Sequence, residues 1–222
     1  MSTTTSETPA PWWQRHVELV VVIMLGIVSV ATAYTSFQSG LYGGQSDDKI
    51  SQSEAAGTEA ESLYLEGNQQ FVQDSQTIQQ LSAYSIAADA GDATAAAQYE
   101  DLYFIGVSEE LDAAITNAAA LDESDPEFWH DPQADEDYQA ALFGSYGEQS
   151  ENSESLRKVG DDLGYNGDLL SLYTTLMAVS LFLLGIAAVL KRPLLQWVLI
   201  ATGGGIFLIN SILTALVPFV WL

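Results

Sequence analysis

The densest group of side chains that could do chemistry lies between Asp122 and Asp137. Carboxylates and one imidazole follow each other there, in the order Asp122-Glu123-Ser124-Asp125-Pro126-Glu127-Phe128-Trp129-His130-Asp131, with Asp135-Glu136-Asp137 close behind. Hard cations bind several carboxylate oxygens, and His130 with Asp131 and Asp135 could hold a transition metal. The segment is not an EF-hand loop, because Pro126 stands at the fifth position and no Gly follows. We favour the alternative, a solvated acidic loop whose Phe128 and Trp129 pack on neighbouring helices.

Other kinds of catalytic site have little support in the sequence. Cysteine is absent, which excludes disulfides, thiolate catalysis and Cys-based zinc sites. His16 and His130 are the only histidines, and no nucleophile elbow, P-loop or dinucleotide-binding motif occurs. Gly203-Gly204-Gly205 lies inside an apolar segment, so it is not a phosphate-binding loop. We therefore expect no enzymatic activity, no confident metal site and no cofactor.

The charge of the chain is distributed very unevenly. There are 30 Asp and Glu against 6 Lys and Arg, a net of −24 over 222 residues. The segment from Gln38 to Asp168 holds 28 of the acidic residues and 3 of the basic ones. Such a surface repels the phosphates of nucleic acids. We favour the interpretation that this surface keeps the protein hydrated in concentrated salt. The alternative is a surface that collects cations for binding or passage.

Three apolar segments are long enough to cross a bilayer. They are Val17–Phe37, Leu169–Leu190 and Leu194–Val217, and the last two contain no charged side chain. The 21 residues of the first reach about 31 Å as a helix, close to the thickness of the hydrocarbon core. A signal peptide is the alternative for this first segment, but only Arg15 provides positive charge before it. We therefore predict an all-α membrane protein with three transmembrane helices.

The basic residues near these segments predict their orientation. Arg15 precedes the first segment, and Lys191-Arg192 join the second to the third, so both places are expected in the cytoplasm. Pro193 suits the first turn of the third helix. The predicted organisation is listed by residue range: 1–16 cytoplasmic disordered tail, 17–37 transmembrane helix, 38–167 acidic extracytoplasmic domain, 168–190 transmembrane helix, 191–193 cytoplasmic joint, 194–217 transmembrane helix and 218–222 extracytoplasmic terminus.

The acidic domain is predicted to be a helical bundle. A first helix is expected over Gln45–Ala90, with an apolar stripe interrupted at Asp74 and Ser85, and Gly91-Asp92 predicts a turn. A second helix is expected over Ala93–Leu121. Pro126 and Pro132 then break the pattern, and a third helix is expected over Ala134–Val159. Gly160, Gly164 and Gly167 are expected to loosen the entry to the second transmembrane segment.

One stretch carries a resemblance to a known kind of protein. It consists of Ala31-Thr32-Ala33-Tyr34-Thr35-Ser36-Phe37-Gln38, followed by Gly43-Gly44-Gln45 and an Ala- and Glu-rich helix. It resembles a family of small uncharacterised prokaryotic membrane proteins with one span, a helical outer region and a two-span hairpin. Members tend to have an aromatic residue directly before the Gly-Gln element, whereas here one extra Gly separates Tyr42 from it. The resemblance implies an architecture and no activity.

Small and polar residues in the apolar segments could mediate helix packing. Ser29 and Ala33, Ala201 and Gly205, and Ser211 and Ala215 are pairs spaced by four, a spacing that lets helices approach closely. They could pack within one chain or between subunits. Asn210 is the strongly polar residue deep in the third segment, and it could pack against a neighbouring helix or, with Thr202 and Thr214, face a pore.

These features favour a membrane-anchored interaction, scaffold or sensor module that self-associates or binds a protein partner. The alternative is an oligomeric cation channel with an acidic outer vestibule. No ionisable residue is expected at mid-membrane depth, which argues against a proton-coupled transporter. The expected partners are the lipid bilayer, further copies of the chain or another protein, and cations, but not nucleic acid.

Overall fold

The computed structural model describes residues 12–221, with side chains from Val17 onward. Its helices are α1 Trp12–Asp89, α2 Ala93–Gly106, α3 Glu109–Ser124, a 3₁₀ helix Pro132–Ala134, α4 Glu136–Val189 and α5 Pro193–Leu216. No strand occurs in this part of the chain. Helices α1, α4 and α5 are long and apolar enough to cross a membrane. The prediction of an all-α protein with three such segments is therefore confirmed. Of the disordered tail predicted over residues 1–16, residues 1–11 lie outside the described part of the chain, whereas residues 12–16 belong to α1, so that part of the prediction is wrong.

The turn after α1 is confirmed, but the second predicted helix is wrong in its extent. Gly91 adopts φ 98°, which favours glycine, and the side chain of Asp92 caps α2 by accepting a hydrogen bond from Thr94 N. Helix α2 then ends at Gly106 instead of continuing to Leu121. The hydroxyl of Ser108 accepts a hydrogen bond from Leu111 N and starts α3. Gly106 and the N-cap Ser108 therefore decide where the helix breaks, although the Ala-rich composition on both sides favours one continuous helix.

The three glycines near residue 160 lie inside α4, so the expectation that they loosen the chain is wrong. A Cβ at Gly160 would come within 2.8 Å of Ile50 Cδ1, one at Gly164 within 3.0 Å of Ser46 Oγ, and one at Gly167 within 3.3 Å of Tyr42 Cβ. These glycines therefore let α4 approach α1 closely. Helix α1 is also continuous where separate helices were predicted over 17–37 and 45–90.

The chain divides into two compact units. The acidic unit is Ser51–Arg157, and the apolar unit comprises the described residues up to Ile50 together with those from Lys158 onward. The acidic unit contains 23 Asp and Glu against the single Arg157, a net charge of −22 with His neutral. The apolar unit contains the three segments with transmembrane character.

The core of the apolar unit joins α1, α4 and α5. Its buried residues are Val17, Val21, Val28, Leu184, Ala187 and Ile200. Glycine again allows close packing, since a Cβ at Gly203 would lie 3.2 Å from Ser180 O, and one at Gly204 would lie 3.0 Å from Met24 Cε. At the turn between α4 and α5, Gln196 Nε2 donates to Ala187 O at 3.1 Å. The two helices therefore form the expected hairpin.

The core of the acidic unit is smaller. Leu111, Ala114 and Tyr138 are buried together, with Phe71, Ile78 and Leu142 packed against them. Helix α3 and the first turns of α4 therefore pack on the middle of α1. This arrangement positions the loop between α3 and α4, which contains the predicted acidic cluster.

Candidate functional site

The acidic loop is organised by a contact between His130 and Asp122. His130 Nδ1 lies 2.7 Å from Asp122 Oδ1, and His130 N donates to the same oxygen at 2.8 Å. Hydrogen bonding from the ring, and then from the backbone, lowers the pKa of the Asp122 carboxyl below its ordinary value. Asp122 lies in the last turn of α3, so this pair ties the loop back to the helix that precedes it.

The three weak metal candidates, His130, Asp131 and Asp135, have different partners. Asp131 Oδ1 accepts from Gln133 N at 3.0 Å and caps the 3₁₀ helix, whereas His130 pairs with Asp122. Asp135 caps α4 by accepting from Tyr138 N at 2.9 Å, and this bond is the main reason that its pKa is lowered. Among the described residues, no group of three or more His, Cys, Asp or Glu is arranged to hold a metal ion.

A groove of about 370 Å³ lies beside this loop, within the acidic unit. Its walls come from α1, α2, α3, the loop and the 3₁₀ helix. They include Ser82 and Ser85 of α1, Tyr99 of α2, Asp122 of α3, and Trp129 and His130 of the loop. Trp129 is 73% exposed and the neighbouring Phe128 is 65% exposed. The expectation that these two aromatic side chains pack on the helices is therefore wrong. Their side chains point away from the helices, and two nearby carboxylates, those of Asp131 and Asp135, cap the 3₁₀ helix and α4.

Helix α2 is tied to α3 by Tyr103, which contacts the groove residue Tyr99. Tyr99 stacks on Tyr103, with ring centroids 6.0 Å apart, and Tyr103 OH donates to Asp112 Oδ1 at 2.5 Å. The hydrogen bond to the Asp112 carboxylate, with some burial, raises the pKa of Tyr103 to about 12. Tyr99 is thus placed at the groove by a neighbour whose hydroxyl is itself anchored.

A buried polar network lies under the loop, and sequence reasoning missed it. Asp74 was expected only to interrupt an apolar stripe, but it is 1% exposed. Its carboxylate accepts from Tyr138 OH at 2.7 Å and from Gln70 Nε2 at 2.8 Å. Burial and this contact with Asp74 raise the pKa of Tyr138. Gln133 also connects the 3₁₀ helix to α1, since its Oε1 accepts a hydrogen bond from Ser75 Oγ and its Nε2 donates to Phe71 O.

Most of the small residues singled out in the apolar segments make no close contact within the chain. Ser29, Ala33, Ala201 and Ala215 are exposed, and a Cβ at Gly205 would meet nothing within 4 Å. Gly203 and Gly204 make the close contacts instead, although sequence reasoning did not single them out for packing. Ser29, Ala33, Ala201, Gly205 and Ala215 are therefore available on the outside of the unit, whereas Ser211 is partly buried and its Oγ is buried.

The polar residues of α5 differ from each other in their surroundings. Asn210 is 2% exposed, and its Nδ2 donates to Ile206 O at 2.8 Å. Thr202 is exposed and donates to Val198 O at 2.9 Å. Ser211 and Thr214 lie at the border of a cavity within the apolar unit. Asn210 is therefore enclosed by the helices of its own chain.

The segment after α5 is attached to one side of α1. Gln38 Oε1 accepts from Val220 N at 3.2 Å, Tyr42 OH donates to Pro218 O at 2.7 Å, and Gln45 Nε2 donates to Trp221 O at 2.9 Å. The spacing of the three α1 residues, four and then three, puts them on one face of the helix. Two of them, Gln38 and Gln45, belong to the stretch that carries the family resemblance. Their role in attaching this segment could not be inferred from the stretch alone.

Comparison with protein-family models, with curated proteins and with solved structures finds no match to this chain. The resemblance to a family of three-span prokaryotic membrane proteins therefore stays a prediction.

Proposed function

We propose that the protein is a membrane-anchored interaction module whose acidic unit binds a protein partner. The observation that carries this proposal is the exposure of Phe128 and Trp129 beside a preformed groove on a unit with a net charge of −22. Large aromatic side chains are enriched at the energetic centres of interfaces. The surrounding carboxylates favour a partner with positive charge around an apolar contact, because complementary charge speeds encounter and selects the partner.

The proposed topology follows from the distribution of basic residues. Arg15 and the Lys191-Arg192 joint are assigned to the cytoplasm, which assigns the acidic unit to the extracytoplasmic side. On that side the groove would meet soluble proteins or other membrane proteins. The acidic composition keeps the unit hydrated in concentrated salt, so salt adaptation and partner binding are compatible.

Self-association is the second part of the proposal. Ser29 with Ala33, and Ala201 with Gly205, are small residues on outward faces of α1 and α5. Such residues allow helices of two chains to approach closely in lipid. The channel alternative gains no comparable support, since the pore-lining role considered for Asn210 does not fit a side chain enclosed in its own chain.

A photo-crosslinking experiment in native membranes tests partner binding. The photoreactive residue p-benzoylphenylalanine replaces Phe128 in one variant and Phe104 in a control. Phe128 is next to Trp129, which lines the groove, whereas Phe104 is also exposed but belongs to α2 and not to this loop. We expect one defined adduct from position 128, weakened by Trp129→Ala, and little from position 104. Equal labelling at both positions, or an adduct insensitive to Trp129→Ala, would contradict the proposal. An adduct with twice the mass of the chain would assign the groove to self-association instead.

A further inference from the structure

Two hydroxyl side chains in α5 break a rule that other hydroxyls in the apolar segments follow. Six of these donate to the carbonyl four residues earlier: Ser29, Thr32, Thr35, Thr174, Thr175 and Thr202. Ser211 Oγ and Thr214 Oγ1 are buried and have no hydrogen-bond partner among the described residues. A buried hydroxyl without a partner is destabilising, and the hydrocarbon region supplies no water to compensate. These two hydroxyls therefore point to a missing partner.

Both hydroxyls line one cavity of about 410 Å³ in the apolar unit. The cavity is open to the outside, since Tyr34 and Phe219 on its walls are exposed. Tyr34 and Thr35 of α1 form the opposite wall, and Pro218 and Phe219 contribute from the segment after α5. No Asp, Glu, Lys or Arg lines it. The volume lies within the range of small-molecule sites, and the mixture of mainly apolar walls with a few polar groups is typical of them.

The cavity is preformed, because its wall on the side of Phe219 is fixed at several points. The contacts of Tyr42 with Pro218 and of Gln38 with Val220 hold the segment against α1. The ring of Phe219 stacks on Tyr34 with centroids 6.5 Å apart, and it contacts Trp221 edge-on at 4.6 Å. A site whose walls are already ordered loses less conformational freedom when a ligand binds.

We propose that this cavity binds a neutral amphiphile with a hydroxyl head group and an apolar body. A ligand hydroxyl can donate to one of Ser211 Oγ and Thr214 Oγ1 and accept from the other, which satisfies both. An ionised head group is disfavoured, because the lining residues provide no opposite charge in a region of low polarity. A pure hydrocarbon would fill the volume but leave both hydroxyls unsatisfied. This inference does not depend on partner binding by the acidic unit.

Thermal unfolding of the full chain in nanodiscs tests the proposal with three matched probes. Farnesol carries the hydroxyl, farnesene lacks it, and farnesyl phosphate replaces it with a charge. The test variant is Ser211→Ala with Thr214→Val, which removes both hydroxyls with little change in shape. The control is Thr202→Val, whose hydroxyl is exposed and already bonded to Val198 O.

We expect farnesol to raise the Tm of the wild type and of Thr202→Val in a saturable way, because a ligand that binds only the folded state stabilises it. The double variant should bind farnesol about tenfold more weakly, because it lacks both side-chain hydroxyls that would form hydrogen bonds with the hydroxyl of farnesol. Without any probe it should be at least as stable as the wild type, since it buries no unsatisfied hydroxyl.

Three results would overturn the proposal. The first is an equal rise in Tm with farnesene or farnesyl phosphate, which would show that the hydroxyl is not recognised. The second is unchanged farnesol affinity in the double variant. The third is the absence of any farnesol effect on a folded wild-type protein.

Discussion

The apolar and acidic units both bury polar groups, but those that are hydrogen-bonded have different kinds of partner in the two units. In the apolar unit the buried polar side chains are neutral, and they bond mainly backbone carbonyls, as Ser180 does with Gly203 O and Gln196 with Ala187 O. In the acidic unit the carboxylate of Asp74 is buried and receives side-chain donors. A carboxylate is far costlier to enclose in lipid than near water. The kind of buried polar group thus agrees with the proposed placement of the apolar unit in a membrane and of the acidic unit in water.

The exposed surfaces differ in the same sense. Leu208 of the apolar unit and Leu65 of the acidic unit are 61% and 64% exposed, so the two leucines are matched in accessibility. Around Leu208 the exposed neighbours Ile209 and Ile212 are apolar, whereas Leu65 lies between carboxylates such as Glu61 and Glu66. The same residue type at the same exposure is thus expected to face lipid in one unit and water in the other.

Substituting these two leucines by aspartate should give the largest effect. Leu208→Asp should cost about 3 kcal/mol of membrane insertion, because a charge within a transmembrane helix is strongly disfavoured. Leu65→Asp should change stability by less than about 0.5 kcal/mol, as is usual for a surface position. The inserted fraction in a translocon assay measures the first, and thermal unfolding measures the second. Equal tolerance at both positions would remove the difference between the two surfaces.

The buried network of the acidic unit should give the next largest effect. Tyr138→Phe removes the donor to Asp74 and should destabilise the unit by about 2 kcal/mol, since a bond to a charged acceptor is lost in a buried place. Tyr64→Phe is the control, because Tyr64 is exposed and contacts Phe143 and Tyr146 through its ring. Hydrogen exchange of peptides from α3 and the start of α4 reports the difference. Equal protection in both variants would argue that the network does not stabilise the unit.

The features that sequence alone predicted are local ones. Three apolar segments, the turn at Gly91-Asp92 and the position of Pro193 each depend on a few adjacent residues or on composition. Asp74 and Tyr138 are 64 residues apart, and no periodicity within either helix indicates that they meet. An aspartate on an apolar stripe looked like an interruption, because its partner lies on another helix.

The misreading of the three glycines near residue 160 had a usable signal in the sequence. Gly160, Gly164 and Gly167 are spaced by four and then three, which is the spacing of one helix face and not of a flexible joint. Ser39 and Ser46, seven apart, donate to the carbonyls of Gly167 and Gly160, also seven apart. In the acidic unit Ser53 donates to Ser153 O, again after an interval of seven in both helices. The pairing of α1 with α4 was therefore partly encoded in small residues, but their partners were not.

The next smaller effect is expected for the stability of the acidic unit, which should depend on pH through Tyr103. The raised pKa of Tyr103 means that the folded state keeps the phenol protonated. The stabilisation by its bond to Asp112 is therefore complete below the ordinary value of 10.0 and is lost as the pH rises through about 12. In a tyrosinate absorbance titration, Tyr103→Phe should remove a component near pH 12. Asp112→Asn should move that component toward lower pH, and an unmoved component would assign the shift to another cause.

The smallest effect should come from the apolar unit, at Ser180. Its hydroxyl is buried and donates to Gly203 O at 2.5 Å, so the local geometry resembles that of Tyr138 and Asp74. The acceptor is a neutral carbonyl, however, and hydrogen bonds between helices in lipid contribute about 0.6 kcal/mol on average, because the unfolded chain in the membrane also finds partners. Ser180→Ala should therefore destabilise the α4–α5 hairpin by about 0.6 kcal/mol, measured by steric trapping in bicelles. A loss as large as that of Tyr138→Phe would mean that the two units do not differ in what a buried hydrogen bond contributes, and the comparison between them would then rest on their surfaces alone.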